Sequence, residues 1–255
     1  MKKALVLILA LVGLSLSALA SAETIQKGNL RVAFDAKLAP QRLPRVGGAP
    51  VAVSVTTKIA AVGGGRPAQL KRIAIAINAH GRLDSTGLPV CDISDIQPAT
   101  SAKALGACRG ALVGQGHLSA QVALARQGVY PSEGKLLAFN GTYEGKPAIL
   151  AHVYGEEPVP TSVTLPFVIT KTKGTFATTL TATFPAADAN FVTGIDLNLQ
   201  RTYTYKGKRR SYASAGCPAP KGFSGASFPF AKASYAFAGG KKLSSTLRRS
   251  CGVRG

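Results

Sequence analysis

Cations are the side chains with most to offer chemically in this chain of 255 residues. Twelve lie between Arg201 and Arg254, and no Asp or Glu follows Asp196. Lys206, Lys208, Arg209 and Arg210 crowd one turn. Lys241 and Lys242 mark a second, and Arg248 and Arg249 stand in the last strand-like run. These eight are the candidate polyanion-binding residues. The whole chain carries 31 Lys and Arg against 11 Asp and Glu, a formal net charge of +20. A field of one sign concentrates anionic partners without selecting among them. Outside a cell, the matching partners are anionic polymers of wall or matrix polysaccharide, and lipid headgroups. Tyr203, Tyr205 and Tyr212 accompany the cations, but at strand spacing they read as half core rather than as a platform for stacked bases. No specific nucleic-acid partner is expected.

Groups that could do covalent or metal chemistry are sparse. His80, His117 and His152 are far apart, with no H-x-x-x-H or C-x-x-C spacing, so no metal and no cofactor is expected. There is no G-x-S-x-G elbow. Glu156 and Glu157 are adjacent, and adjacent residues on a strand face opposite ways, which suits no acid–base pair. Gly63-Gly64-Gly65 leads through Arg66-Pro67 into a strand rather than a helix, so it reads as a turn and not a phosphate cradle. Thr179, Thr181 and Thr183 read as an exposed strand face. Asn140-Gly141-Thr142 matches a glycosylation sequon that is expected to stay bare, and Asn-Gly also marks tight turns. No catalytic residue is assigned. The function expected is non-enzymatic association with an anionic envelope or extracellular polymer. The alternative is a secreted enzyme acting on a polymer, its site assembled from residues distant in sequence.

The elements that would carry these residues are mostly strands. Met1-Lys2-Lys3, the apolar run to Leu19 and Ala20-Ser21-Ala22 form a signal peptide over 1–22. The mature chain is then extracellular or wall-associated and does not span the membrane. Alternation of apolar residues marks strands at Leu30–Leu38, Val51–Val62 and Ile73–Ile77. It resumes from Ala111, where Gly114 and Gly116 signal a bend or a close backbone approach. Residues 127–134 read as a loop. Leu136–Tyr143 and Ala148–Tyr154 read as a hairpin about Glu144-Gly145.

From Thr161 a meander of long antiparallel strands is expected, with turns at Lys173-Gly174, at 185–188 and at Lys206-Gly207. Ala99–Cys108 is the one good helical window, capped by Thr100 or Ser101. The fold expected is all-β: an antiparallel β-sandwich of about a dozen strands with one short helical insertion near 99–108. Residues 23–255 form a single domain, or two subdomains, 23–157 and 161–255, divided at Pro158–Pro160.

Gly87 to Cys91 (GLPVC), Ala-Leu-Gly-Ala-Cys108, Leu112-Val-Gly-Gln-Gly116, Leu136 to Gly141 (LLAFNG) and Ser211 to Pro220 (SYASAGCPAP) together resemble a group of secreted actinobacterial proteins with no assigned activity. The resemblance spans nearly the whole mature chain. It implies secretion and the cysteine pattern, and it brings no catalytic residues. Four cysteines in an exported chain should pair, and they allow three connectivities. The pairing expected is Cys91–Cys108, closing the helical excursion, and Cys217–Cys251, tying a loop to the last strand. The basic turns at 206–210 and 239–242 should be hairpin tips. The second disulfide should bring their charges to one end or edge of the sandwich.

Overall fold

The structure, a computed structural model, describes residues 22–185 and 190–254. The leader expected over 1–22 lies outside the described residues except for Ala22, as does most of the turn at 185–188. Strands β1 (Glu23–Lys27) and β2 (Leu30–Ala39) open the chain, followed by the short β3 (Arg42–Leu43) and β4 (Ala49–Pro50). Next come β5 (Ala52–Ala61), β6 (Leu70–Asn78) and β7 (Gly81–Leu83), then helices α1 (Ile93–Ile96) and α2 (Ser101–Cys108). Five long strands follow: β8 (Leu112–Leu124), β9 (Gly128–Tyr143), β10 (Lys146–Gly155), β11 (Thr161–Lys171) and β12 (Phe176–Thr183). After β13 (Asn190–Leu199) comes a hairpin of β14 (Thr202–Tyr205) and β15 (Lys208–Ser211). The chain ends with β16 (Ala213–Ala215), β17 (Gly225–Phe237) and β18 (Lys242–Val253).

All-β is the class observed, but the sandwich is not. Thirteen strands form one sheet in the order β1-β2-β5-β13-β8-β9-β10-β11-β12-β6-β17-β18-β3. The sheet curls into a half-barrel, so its apolar face packs against itself rather than against a second sheet. Registers place Phe34 opposite Thr57, Thr57 opposite Ile195 and Ile195 opposite Leu118, all in one phase. The same phase continues through Leu136, Val153, Val163 and, beyond β12, Ile75 and Ala233. Across the interior, the buried hydroxyls of Thr57 on β5 and Tyr235 on β17 share a hydrogen bond of 3.0 Å. Burial pushes the Tyr235 phenol up to about 12 despite that bond. Both hydroxyls are therefore neutral at any ordinary pH, and each satisfies the other in an apolar setting.

Where the flanks approach, β1 and β2 lie against β18. Arg249 Nε donates to the Ala36 carbonyl at 3.0 Å, and its guanidinium pairs with Asp35. Gly116 and Gly114 serve the close approach expected of them. A Cβ on Gly116 would sit 1.8 Å from the Asp196 carbonyl oxygen, and one on Gly114 2.5 Å from that of Asn198.

Several local expectations give way. β13 leaves β12 and inserts between β5 and β8, so the meander stops at β12. Residues 127–134 are mostly strand, with the turn confined to about Ala125–Gln127 and Arg126 at φ 64°. Asn140 sits inside β9, buried, donating from Nδ2 to the Pro89 carbonyl at 2.8 Å, and so marks no turn. The turn expected at Glu144-Gly145 forms, both residues at positive φ. β10 and β11 pair continuously up to Gly155 and Thr161, on either side of Pro158–Pro160.

The helical excursion covers the outside of β9 and β10. Thr100 caps α2 by accepting from the Lys103 N–H at 3.3 Å. Cys91–Cys108 forms and closes the excursion. Beneath it, Ile96, Ala104, Leu137, Phe139, Ala148 and Leu150 make a second apolar cluster. β9 and β10 are therefore buried on both faces, which is why their apolar residues run on rather than alternate. His152 lies in this layer, fully buried, and is no surface histidine. Burial, partly offset by contact with the Ile96 backbone, holds its pKa below the usual range.

The half-barrel's ends differ. At one, β4, β16 and β7 form a small antiparallel sheet laid over the opening, with Tyr212 fully buried beside it. Cys217–Cys251 pins this cover to β18. At the other end the strands stop at Ala61, Leu70, Leu124, Gly155, Thr161 and Phe237, and no strand crosses the mouth among the described residues. Two chambers lie along the interior. The inner one, about 100 Å3, is walled by side chains such as Phe34, Ile149, Phe167 and Leu180 and touches the cover at Leu83 and Ala215. The outer one, about 150 Å3, opens at the mouth.

Candidate polyanion site

The hairpin β14–β15 holds the densest of the expected cations. Its ladder pairs Tyr203 with Arg210 and Tyr205 with Lys208, leaving Lys206-Gly207 as a two-residue turn. Both turn residues have positive φ, at 48° and 71°, the geometry that suits the twist of a tight hairpin. Alternation puts Tyr203, Tyr205, Lys208 and Arg210 on one face, with Lys208 nearest the tip, and Thr202, Thr204 and Arg209 on the other. Tyr203, Tyr205 and Arg210 are half-buried, while Lys206, Lys208 and Arg209 are exposed.

The half-buried face is an anchor to the loop 84–87. Tyr203 Oη lies 3.2 Å from the Asp84 carbonyl and 3.0 Å from that of Thr86, donating toward both. Arg210 Nη1 donates to Asp84 Oδ2 at 2.8 Å. Tyr205 lies flat on Gly87, where any Cβ would come within 2.2 Å of its ring. Gly87 is also at φ +83°, so only glycine suits both the backbone and the contact. Desolvation raises the Asp84 pKa, but hydrogen bonds from Thr86 and the charge of Arg210 outweigh it and hold the carboxyl below its usual range. Desolvation and the Asp84 charge in turn raise Tyr203. The Lys206 ammonium lies 5.5 Å and the Arg210 guanidinium 5.8 Å from the centre of the Tyr205 ring. One aromatic ring thus steadies a cation on each side of the turn.

The eight candidate residues do not form one patch. Lys206, Lys208 and Arg209 project from the hairpin beside the covered end, and Arg210 belongs to the anchor. Lys241 and Lys242 follow a turn at the open end, where Lys241 Nζ donates to Asn29 Oδ1 at 3.0 Å. The β17–β18 turn is a hairpin tip as expected, but it lies at the opposite end of the molecule from 206–210. The reason is strand direction: β17 reaches its tip beside Leu70, whereas the 84–87 loop follows the far end of β6. Arg248 is exposed and donates to the Ser227 carbonyl at 3.2 Å. Arg249 is no surface cation: its side chain is 11% exposed and paired with Asp35. Both expected disulfides are present, and among the described residues no cysteine is free.

The anchor residues Asp84 and Gly87 carried no signal of their own, because they meet the hairpin only through the fold. Tyr203 and Tyr205 were visible as a half-buried alternation without a partner. Elsewhere, a wide open groove of about 1400 Å3 runs between α2 and the outer face of β8–β10, and Glu133, Glu156 and Glu157 line it. Among the described residues, no hydrogen bond reaches these carboxylates and no three His, Cys, Asp or Glu side chains are placed to hold a metal. No family model, curated protein or solved structure matches this chain.

Two disulfides point to an oxidising, extracellular type of environment. Among the described residues no helix is long and apolar enough to cross a membrane.

Proposed function

We propose that this is a secreted, non-enzymatic binding protein that associates with anionic polymers, cell-wall or matrix polysaccharide in class, through the tip of the β14–β15 hairpin. The observation that carries the reading is the division of labour in that hairpin. Its base is locked to the 84–87 loop by Tyr203, Tyr205 and Arg210, while Lys206 in the turn, Lys208 beside it and Arg209 on the outer face stand exposed at the tip. Three cations held on a fixed scaffold lose less freedom on binding than three on a flexible tail. The net charge of +20 supplies the long-range attraction. The hairpin supplies the short-range contacts.

The test is titration of a linear anionic polysaccharide against the mature protein over a range of salt. Replacing Lys206, Lys208 and Arg209 by Ser should weaken binding roughly a hundredfold at low salt, at about 1 kcal/mol per cation. It should also flatten the dependence of log affinity on log salt by about 2, because fewer counterions are released. The matched control replaces Arg31, Lys58 and Lys232, exposed on the outer strand faces. Equal losses in the two triples would show that only net charge matters and would overturn the assignment to the hairpin.

A further inference from the structure

A second site lies at the other end of the half-barrel, and it rests on different residues. The outer chamber has apolar walls drawn from six strands of the sheet, among them Leu118, Val153, Val163 and Leu165. Its floor meets the inner chamber: Gly134, Val153 and Leu165 of the outer wall are followed, one step inward in the same strand phase, by Leu136, Ala151 and Phe167 of the inner. Native interiors seldom keep apolar voids larger than a water molecule. A dry apolar cavity of this size readily takes an apolar guest, benzene in the best-known case. The small sheet covers the inner chamber at one end, and among the described residues no strand closes the other.

The mouth carries one feature that a packing defect would lack. Lys71 stands at the start of β6 in the same phase as Ile73, Ile75 and Ile77, and it lines the chamber. The other side chains of that phase are the barrel's apolar interior. Lys71 is half-buried as a residue, and a cation there suits a guest's charged end as its tail enters the apolar wall. Val159, 53% exposed, lines the same mouth and extends apolar surface to its lip. The geometry points to a guest with an apolar tail and an anionic head. The volume of the two chambers matches roughly ten carbons, scaling from a benzene-sized cavity of about 150 Å3.

We propose that the open end binds one single-chain anionic amphiphile, its acyl tail in the outer chamber and reaching toward the inner, its anionic group at Lys71. The interaction is binding only, and no bond is made or broken.

Calorimetric titration of the mature protein with decanoate tests this. One decanoate should bind per chain. Ala120→Phe fills the chamber from β8 and should abolish binding, with circular dichroism confirming the fold. Leu165→Ala deepens the chamber and should move the preferred chain length upward across a series of fatty acids. Lys71→Met should weaken decanoate about tenfold, the size of one charge-assisted contact, and leave decan-1-ol unchanged. Lysophosphatidylglycerol bound at the same stoichiometry, and lost in Ala120→Phe, would mark membrane lipid as the source of the guest. Binding confined to the free acid would mark a free fatty acid. The proposal is overturned by any of three results: no saturable binding of decanoate, full binding in a folded Ala120→Phe protein, or an unchanged chain-length optimum in Leu165→Ala. Equal losses of acid and alcohol in Lys71→Met would overturn the role of Lys71. The hairpin triple should bind decanoate as the native protein does, so the two sites fail or stand separately.

Discussion

At one end of the half-barrel, β4, β16 and β7 lie over the opening and a disulfide holds them to the last strand. At the other end, long strands run out to a mouth whose lip includes an exposed valine and a half-buried lysine. Both ends face the same problem, because a curled sheet with an apolar interior must keep water out at its openings. The covered end solves it with covalent and hydrogen-bonded structure and carries its cations outside, on a hairpin. The open end has no such sheet over it among the described residues, and it places a lysine at the threshold. The difference separates rigidity from access.

The largest effect should come from the covered end. Removing Cys217–Cys251 by the double Ser substitution should cost about 4 kcal/mol by loop-closure entropy, given a separation of 34 residues. That should appear as a fall in Tm of about 10 °C for a chain of this size. Val159→Ser at the mouth should cost less than about 0.5 kcal/mol, as exposed positions usually do. A comparable cost at Val159 would break the contrast, because the mouth would then be as structural as the cover.

Next in size is a dependence on pH that belongs to neither end. His152 is buried with its folded pKa lowered, so the unfolded chain takes up the proton first as pH falls through about 6.5. Stability should be at full strength above that pH and decline below it until the folded pKa is passed, by no more than about 1.4 kcal/mol per pH unit for one proton. His152→Leu should flatten this part of the curve in chemical denaturation at pH 5 to 7. An unchanged slope would show that the histidine layer under α1 is not where the proton acts.

The smallest effect is at the hairpin anchor. The Arg210–Asp84 pair is about one-third exposed on both sides, so Asp84→Asn should cost about 0.5 kcal/mol. Asp84 has a lowered folded pKa, so its contribution is present above about pH 4 and fades as pH falls below that. Polymer affinity should fall with it, because the cations lose their fixed footing. Affinity retained in Asp84→Asn would show that the hairpin binds without its anchor.

Much of this was legible in the residues and some could not be. Alternation located β2, β5 and β6, because period two is a local consequence of one buried face, and the turn residues Glu144-Gly145 located the β9–β10 hairpin. It could not tell a sandwich from a half-barrel, since a strand's apolar side looks the same whether another sheet or its own sheet covers it. β9 and β10 blurred the period, because their outer cover comes from α1 and α2, which the alternation of the strands themselves does not announce. Lys206-Gly207 was readable as a tip from two residues. The burial of Arg249 was not, because Asp35 lies at the other end of the chain. Lys71 stands in phase with three isoleucines at the start of β6, and alternation alone gave it no role.

The insertion of β13 fixes when this protein can fold. β5 finds one neighbour early, in β2, but waits for Gly194–Leu199 to supply the other. β6 waits longer, since it pairs with β12 on one side and β17 on the other. One half of the half-barrel waits for β13 and the other for β17, and loop closure over such separations slows folding. A growing chain of this design stays open, without a finished sheet, for most of its synthesis.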